Sequence, residues 1–344
     1  MLLDYIDHII DSLRRGCVPS DQSLVRLIEE CTEESVARVC RAARATSEEH
    51  FGRRVWLRGL VEVWSRCEGG CLYCGLRAEN RGLGRYEMTS EEIVETCREG
   101  YSLGLRTFVL QGGQVRDSAE KVESVVRTLK AEFPDAAVTL SLGEQPREVY
   151  ERWRRTGADR YLLRHETASE GHYRLLHPER MNFHHRRECL GWLKELGYQT
   201  GAGMRVGSPH QRAEDLVADL GYLADLQPDM VGIGPFMPQG QPPFAEWPRG
   251  SVERTVLMVA LVRLLLPTAM IPATTALASA DGEGTVRGVL AGANVVMPNL
   301  TPQKYRAQYA IYDHKKSTGS EAAEGIESLR ANFDSIGYEI CWSK

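Results

Sequence analysis

No stretch of this 344-residue sequence is both long and apolar. The most hydrophobic segment, residues 256–266, is interrupted by Arg263 and stopped by Pro267, well short of the roughly 20 apolar residues that span a bilayer. No secretory leader is expected either: MLLDYIDHIIDSLRRG carries Asp4 and Asp7 where a leader would be basic and then apolar. Positive charge is not in excess, since the formal net charge is −5, and a nucleic-acid partner wants a clustered basic face. Arg152-Trp153-Arg154-Arg155 alternates with acids nearby and reads as a solvated helix face. The cysteines do not pair up: there are nine, an odd number in a long chain, which is not a disulfide framework. These absences exclude membrane and nucleic acid as expected partners and point to a reducing cytoplasm.

Low-complexity tracts and Pro- or Gly-rich linkers are also missing, so a single barrel-sized domain is expected. Short β-branched or apolar runs recur along the chain. They are WLRGLVEVWS (56–65), TFVLQGG (107–113), AVTLSLG (137–143), RYLLRHE (160–166), TGAGMRVG (200–207), MVGIGPF (230–236), MIPATTA (270–276) and NVVMPN (294–299). Amphipathic stretches separate them at 116–132, 145–156, 183–197, 211–226, 250–266 and 283–292. Thr89-Ser90-Glu91-Glu92 has the pattern of a capping box leading into Ile93, Val94, Cys97 and Tyr101. Eight strands alternating with helices predict an α/β fold, a parallel (β/α)8 TIM-type barrel with its site on the carboxyl-terminal rim. A doubly wound open sheet is the alternative, because periodicity counts strands without showing closure. An N-terminal helical extension is expected over residues 1–50, capped at Ser20 and Thr32, with the barrel over 51–300 and a tail over 301–344 packed on it.

Directly after the first run comes Cys67-Glu-Gly-Gly-Cys71-Leu-Tyr-Cys74. Thiolates at this spacing, on a loop loosened by two glycines, can converge on one soft metal centre. An Fe–S cubane usually takes four cysteines, so three without an obvious fourth suggest one iron left open for a substrate. Structural zinc would need Cys97 or Cys189 to complete four ligands, but both sit on apolar helix faces. Cys17, Cys31, Cys40 and Cys341 lack partners at ligand spacing.

With an aromatic before its last cysteine, this C-x3-C-x2-C motif resembles that of the radical S-adenosylmethionine (SAM) superfamily. Longer strings resemble the HydE group of [FeFe]-hydrogenase maturases: CLYCGLRAEN (71–80), RYEMTSEEIV (85–94), VTLSLGEQPREVYERW (138–153) and GADRYLLRHETA (157–168). LKELGYQTGAG (193–203), DMVGIGPFMP (229–238), IPATTA (271–276) and GANVVMPN (292–299) continue the likeness. The resemblance implies a [4Fe–4S] cluster on Cys67, Cys71 and Cys74 with Tyr73 beside it. It also implies SAM contacts from Gln111-Gly112-Gly113, Ser141, Glu166 and Arg186. Arg58, Thr139, Thr274, Thr275 and Tyr309 would face the substrate. The implied activity is reductive cleavage of SAM to a 5′-deoxyadenosyl radical acting on a small organometallic substrate, with other hydrogenase maturases and a ferredoxin or flavodoxin as partners.

The residues support some of these roles independently. Glu166 and Ser141 lie near strand ends, where barrel sites are built, and a carboxylate there suits ribose hydroxyls. The alternative is that Glu166 pairs with Arg164 or His165. Arg186 falls on the inward face and in the first turn of its helix, where a cation opposes the macrodipole, so it should meet an anion: the SAM carboxylate or a neighbouring glutamate. The chain departs from the group at Gln114, where Glu is common, and at Met204-Arg205 and His210, in a stretch that is usually less basic. Only Cys341 lies beyond Cys189, so no accessory cluster is expected. Biotin synthase holds a second cluster on barrel cysteines, and no later strand run here contains one. Methylornithine synthase stays open as an alternative, as does a non-catalytic Fe–S carrier.

Overall fold

Three amphipathic helices lead the chain: α1 (Asp4–Arg14), α2 (Gln22–Glu30) and α3 (Glu33–Phe51). Thr32 caps α3 by accepting from the Ser35 amide. The computed structural model describes residues 4–19, 22–241, 243–313, 315 and 322–342; the expected cap Ser20 lies outside them. Two short strands follow, β1 (Arg54–Leu57) and β2 (Gly59–Trp64). They arise from the first predicted run, which divides at Arg58 because its two halves pair differently. β1 pairs with strands that arrive late in the chain, whereas β2 pairs with the next strand.

The alternation then runs as the sequence rhythm suggests. In order come α4 (Ser90–Ser102), β3 (Thr107–Gly112), α5 (Ala119–Glu132), β4 (Ala137–Ser141), α6 (Arg147–Thr156) and β5 (Arg160–Leu162). α7 (Glu170–Leu176), α8 (Phe183–Glu195), β6 (Gln199–Val206), α9 (Ala213–Leu226), β7 (Met230–Pro235) and α10 (Val252–Leu265) follow. α11 (Thr275–Ala280), α12 (Gly284–Leu290), β8 (Val295–Val296), α13 (Gln303–Arg306), α14 (Ala322–Asp334) and β9 (Glu339–Cys341) complete the series. α4 starts at the capping box read from the sequence: Glu92 N donates to Thr89 Oγ1 at 3.2 Å, and Thr89 N donates to the Glu92 carboxylate at 2.9 Å.

β2 to β7 form one parallel six-stranded ladder in sequence order. Closure comes from thinner contacts. Met230 and Ile233 bridge to Met270 and Ala273, Pro272 bridges to Val295, and Asn299 bridges back to Leu60. The seventh strand position is therefore a set of single bridges, and the eighth has a two-residue ladder, yet the barrel closes on itself. The open-sheet alternative is thereby excluded. Outside the closed ring, β9 lies parallel to β1, a strand that the sequence reading did not foresee.

The apolar stretch flagged in the sequence is α10. All but two of its residues, Glu253 and Arg254, are buried, because the barrel packs on one side and α3 on the other. A helix apolar on all sides needs this two-sided cover. Arg263 is fully buried within it and donates through Nε to Gly292 O at 2.8 Å and through Nη1 to Pro267 O at 2.8 Å. Among the described residues, no helix is long and apolar enough to cross a membrane.

Candidate active site

A cavity of about 260 Å³ opens at the carboxyl-terminal ends of the barrel strands. Cys67, Cys71 and Cys74, on the loop after β2, all line it. Two of the sulfurs flank one glycine: a side-chain carbon at Gly69 would stand 3.3 Å from Cys67 Sγ and 4.0 Å from Cys71 Sγ. The Gly69 amide donates to Cys67 Sγ at 3.3 Å, the kind of contact that stabilises a bound thiolate. Burial is the main cause pushing the Cys71 thiol up to about 11 and the Cys74 thiol up to about 12. A cationic centre between them reverses that logic, because coordination deprotonates a thiol outright. Cys97 and Cys189 are fully buried in α4 and α8, and neither lines the cavity. The four-thiolate zinc site therefore lacks its fourth member, and the donor set fits a cluster with one iron open.

Tyr73 sits between the second and third cysteines, with its OH 3.1 Å from His177 Nε2. Burial, then the Arg186 charge, pushes His177 down to about 3, so this imidazole is neutral. Trp64, at the end of β2, donates from Nε1 to Gly113 O at 2.7 Å. Gly112 and Gly113 line the cavity, and both are glycine for reasons of packing. A β-carbon at Gly112 would stand 2.6 Å from Trp64 Nε1, and one at Gly113 would stand 2.1 Å from Arg66 O.

Gln111, Ser141, Glu166, Arg186, Thr274, Thr275 and Tyr309 also line the cavity. Gln111 Nε2 donates to Tyr309 OH at 3.2 Å. Thr274 is the N-cap of α11, so its hydroxyl already serves the backbone. Arg58 and Thr139 are buried but do not line this cavity. Arg58 donates to Met230 Sδ at 3.0 Å, while its Nε and the Thr139 hydroxyl have no hydrogen-bond partner among the described residues. Burial, then the nearby Arg160 charge, pushes Arg58 down to about 9.

Arg186 occupies the first turn of α8, as expected, and meets Glu144 at 2.8 Å. The Arg186 Nε and Glu144 Oε1 atoms are close but not aligned as a hydrogen bond, and neither has another partner among the described residues. Arg186 Nη1 donates to Arg164 O at 2.9 Å. Glu166 pairs with neither Arg164 nor His165. His165 meets the buried Asp219 at 3.2 Å, and the partner of Glu166 is Arg205. Burial alone would raise the Glu166 carboxyl, but the charges of Arg205, Arg164 and Arg186 outweigh it and hold the group below the usual carboxylate range. Glu166 has φ 70°, a left-handed backbone that non-glycine residues seldom adopt and that clusters at functional sites.

Sequence reasoning placed none of four lining residues in the site: Glu62, Arg164, Arg205 and Lys315. Strand parity held a usable signal. Arg164 stands two residues before Glu166, and Arg205 stands two after Gly203, so each shares the inward face of its strand. The Arg164 carbonyl accepts from Arg186 Nη1 at 2.9 Å, while its guanidinium has no hydrogen-bond or ion-pair partner among the described residues. Glu62 is fully buried, accepts from Asn299 Nδ2 at 3.2 Å and pairs with Lys315.

Comparison with known proteins agrees with this arrangement. Residues 61–223 match the Radical SAM superfamily model. The [FeFe] hydrogenase maturase subunit HydE of Thermotoga maritima is 47% identical over 268 residues, covering 78% of this chain and 76% of that protein. The chain belongs to the HydE family of radical SAM enzymes. The 3-methylornithine synthase of Methanosarcina barkeri is 28% identical over 316 residues, 91% of this chain and 89% of that one. Among solved structures, methylornithine synthase superposes with a TM-score of 0.83 at 25% identity, covering 97% of both chains. The maturase HydG superposes at 0.81 with 18% identity, over 99% of this chain and 76% of that one, a likeness of fold alone. Family membership brings a [4Fe–4S] cluster and SAM as the implied cofactors, and a cavity lined by three thiols together with Glu166 and Arg186 fits them.

Proposed function

We propose that this HydE-family enzyme acts in the cytoplasm in assembly of the [FeFe]-hydrogenase diiron centre, on a small sulfur- and iron-containing substrate passed on by another maturase. The observation that carries the reading is the 47% identity to HydE over three quarters of both chains. When bound, the cluster and SAM supply a 5′-deoxyadenosyl radical, with a ferredoxin or flavodoxin as the electron source.

The protein's own contribution is to bind and shield. Cys67, Cys71 and Cys74 would hold three of the cluster's irons, with Tyr73 beside it on the same loop. The Gln111–Gly113 backbone receives the amino group of SAM, Arg186 its carboxylate, and Ser141 with Glu166 its ribose. Thr275 and Tyr309 face the substrate, and Thr274 fixes the helix that carries Thr275. Arg58 and Thr139, each with a buried polar atom that has no partner among the described residues, are proposed as a deeper substrate contact. We read the helices before residue 51 and the tail beyond residue 300 as supports of the barrel. The test is maturation of an [FeFe]-hydrogenase in cells lacking their own HydE: this chain should restore hydrogenase activity. Intact SAM cleavage without maturation would sink the hydrogenase reading and leave the radical enzyme.

One observation favours a second reading. The Arg164 guanidinium, without a partner among the described residues, lines the cavity and suits the carboxylate of a free amino acid, and the methylornithine synthase structure covers nearly the whole chain. Turnover of an amino-acid substrate, with no effect on hydrogenase, would select it.

A further inference from the structure

Arg205 stands near the carboxyl end of β6, facing the cavity. Its Nη1 pairs with Glu166 Oε2, and its guanidinium lies over the Tyr73 ring, 4.0 Å from the centroid. One side chain thus touches both the carboxylate at the cavity wall and the aromatic of the cysteine loop. Gly203, the preceding inward residue of β6, approaches β7 so closely that a β-carbon there would stand 2.1 Å from Gly232 O. The wall beneath Arg205 is therefore bare backbone. Glu166 Oε1 makes no hydrogen bond within the described protein and is left for a ligand.

We propose that Arg205 is a positioning residue: it holds the Oε2 edge of Glu166 against the Tyr73 face, so that Oε1 is presented to the ribose hydroxyls of SAM and the cysteine loop is registered to the ribose site. This inference rests on the SAM-binding reading of the cavity. A carboxylate gripped on one oxygen by a planar guanidinium keeps a single orientation, whereas a free carboxylate would turn toward Arg164 or Arg186, the other arginines that face it. Cation–π contact with Tyr73 supplies the second anchor, and Tyr73 is itself tethered to His177.

The test uses the reconstituted holoprotein and two probes, SAM and a SAM analogue lacking both ribose hydroxyls. In Arg205→Gln, SAM affinity should fall at least about tenfold, the equivalent of a lost hydrogen bond to a charged group, while affinity for the analogue should change less than about twofold. Arg205→Lys, which keeps a cation on Glu166, should recover part of the loss. In a Glu166→Gln background the Arg205 substitution should add little, and iron content should match the wild type throughout. Unchanged SAM affinity in Arg205→Gln, or an equal loss for both probes, would overturn the inference while leaving SAM binding itself intact. A wild-type holoprotein that binds no SAM would overturn both this inference and the reading beneath it.

Discussion

The barrel has two unequal arcs. From β2 to β7, six strands share a continuous ladder, and the cysteine loop, Gln111, Ser141, Glu166 and Arg205 project from its carboxyl ends. Across the ring, residues 270–273 are held by isolated bridges and β8 is two residues long. That thin arc and the tail beyond it carry Thr274, Thr275, Tyr309 and Lys315. The dense arc thus bears the residues assigned to the constant chemistry, cluster and SAM. The thin arc bears those assigned to the variable partner, the substrate. Rigid elements position groups more precisely than irregular ones, and segments with few ladder bonds open more readily. Such a division lets substrate preference change without disturbing radical generation.

The largest effect should come from the dense arc. Cys71→Ala should abolish the cluster after anaerobic reconstitution, measured as iron content and visible absorbance, while Thr275→Ala on the thin arc should keep both. Loss of iron in the threonine variant would erase the distinction. Next in size is packing. Gly203→Ala drives a carbon into the β7 backbone and should cost about 1–3 kcal/mol in denaturant unfolding. Gly282→Ala, beside the thin arc with nothing within 4 Å of its added carbon, should stay within about 0.5 kcal/mol. Equal costs would show the two arcs to be equally tight.

The smallest effect concerns acid. His177, beneath Tyr73, is held neutral down to about 3, while an unfolded histidine takes its proton near about 6.5. Between these values the unfolded state binds the extra proton, so this contribution is complete above about pH 6.5 and is lost as pH falls, at up to about 1.4 kcal/mol per pH unit. His177→Gln cannot titrate and should flatten the pH dependence of unfolding by that amount. An unchanged slope would mean that the ring is already solvated.

Much of the fold was legible because its signals are local. Every strand run recurred where a barrel strand or bridge stands, and the Thr89–Glu92 box and the Thr32 cap formed as their spacing implied. The triplet of cysteines was legible for the same reason. What escaped depends on contacts between distant residues. The β1–β9 pairing joins segments about 285 residues apart, as from Arg54 to Glu339, and no periodicity encodes it. The Glu166–Arg205 pair spans 39 residues, so the sequence offered nearer but wrong partners in Arg164 and His165. The depth of Arg58 and Thr139 relative to the cavity likewise follows from side-chain filling, which strand patterns do not reveal.

The position of β1 has a consequence for synthesis of the chain. It is flanked by β8 on one side and β9 on the other, so one edge stays bare until residue 296 has been made and the other until residue 341. An uncovered strand edge invites pairing with another nascent chain, and contacts this distant in sequence form slowly. The hazard is greatest during translation and ends only when residues 339–341 dock. A stall or slow-codon cluster shortly before that point would leave the ring closed through β8 but the outer edge of β1 uncovered, with the cysteine loop a few residues further along.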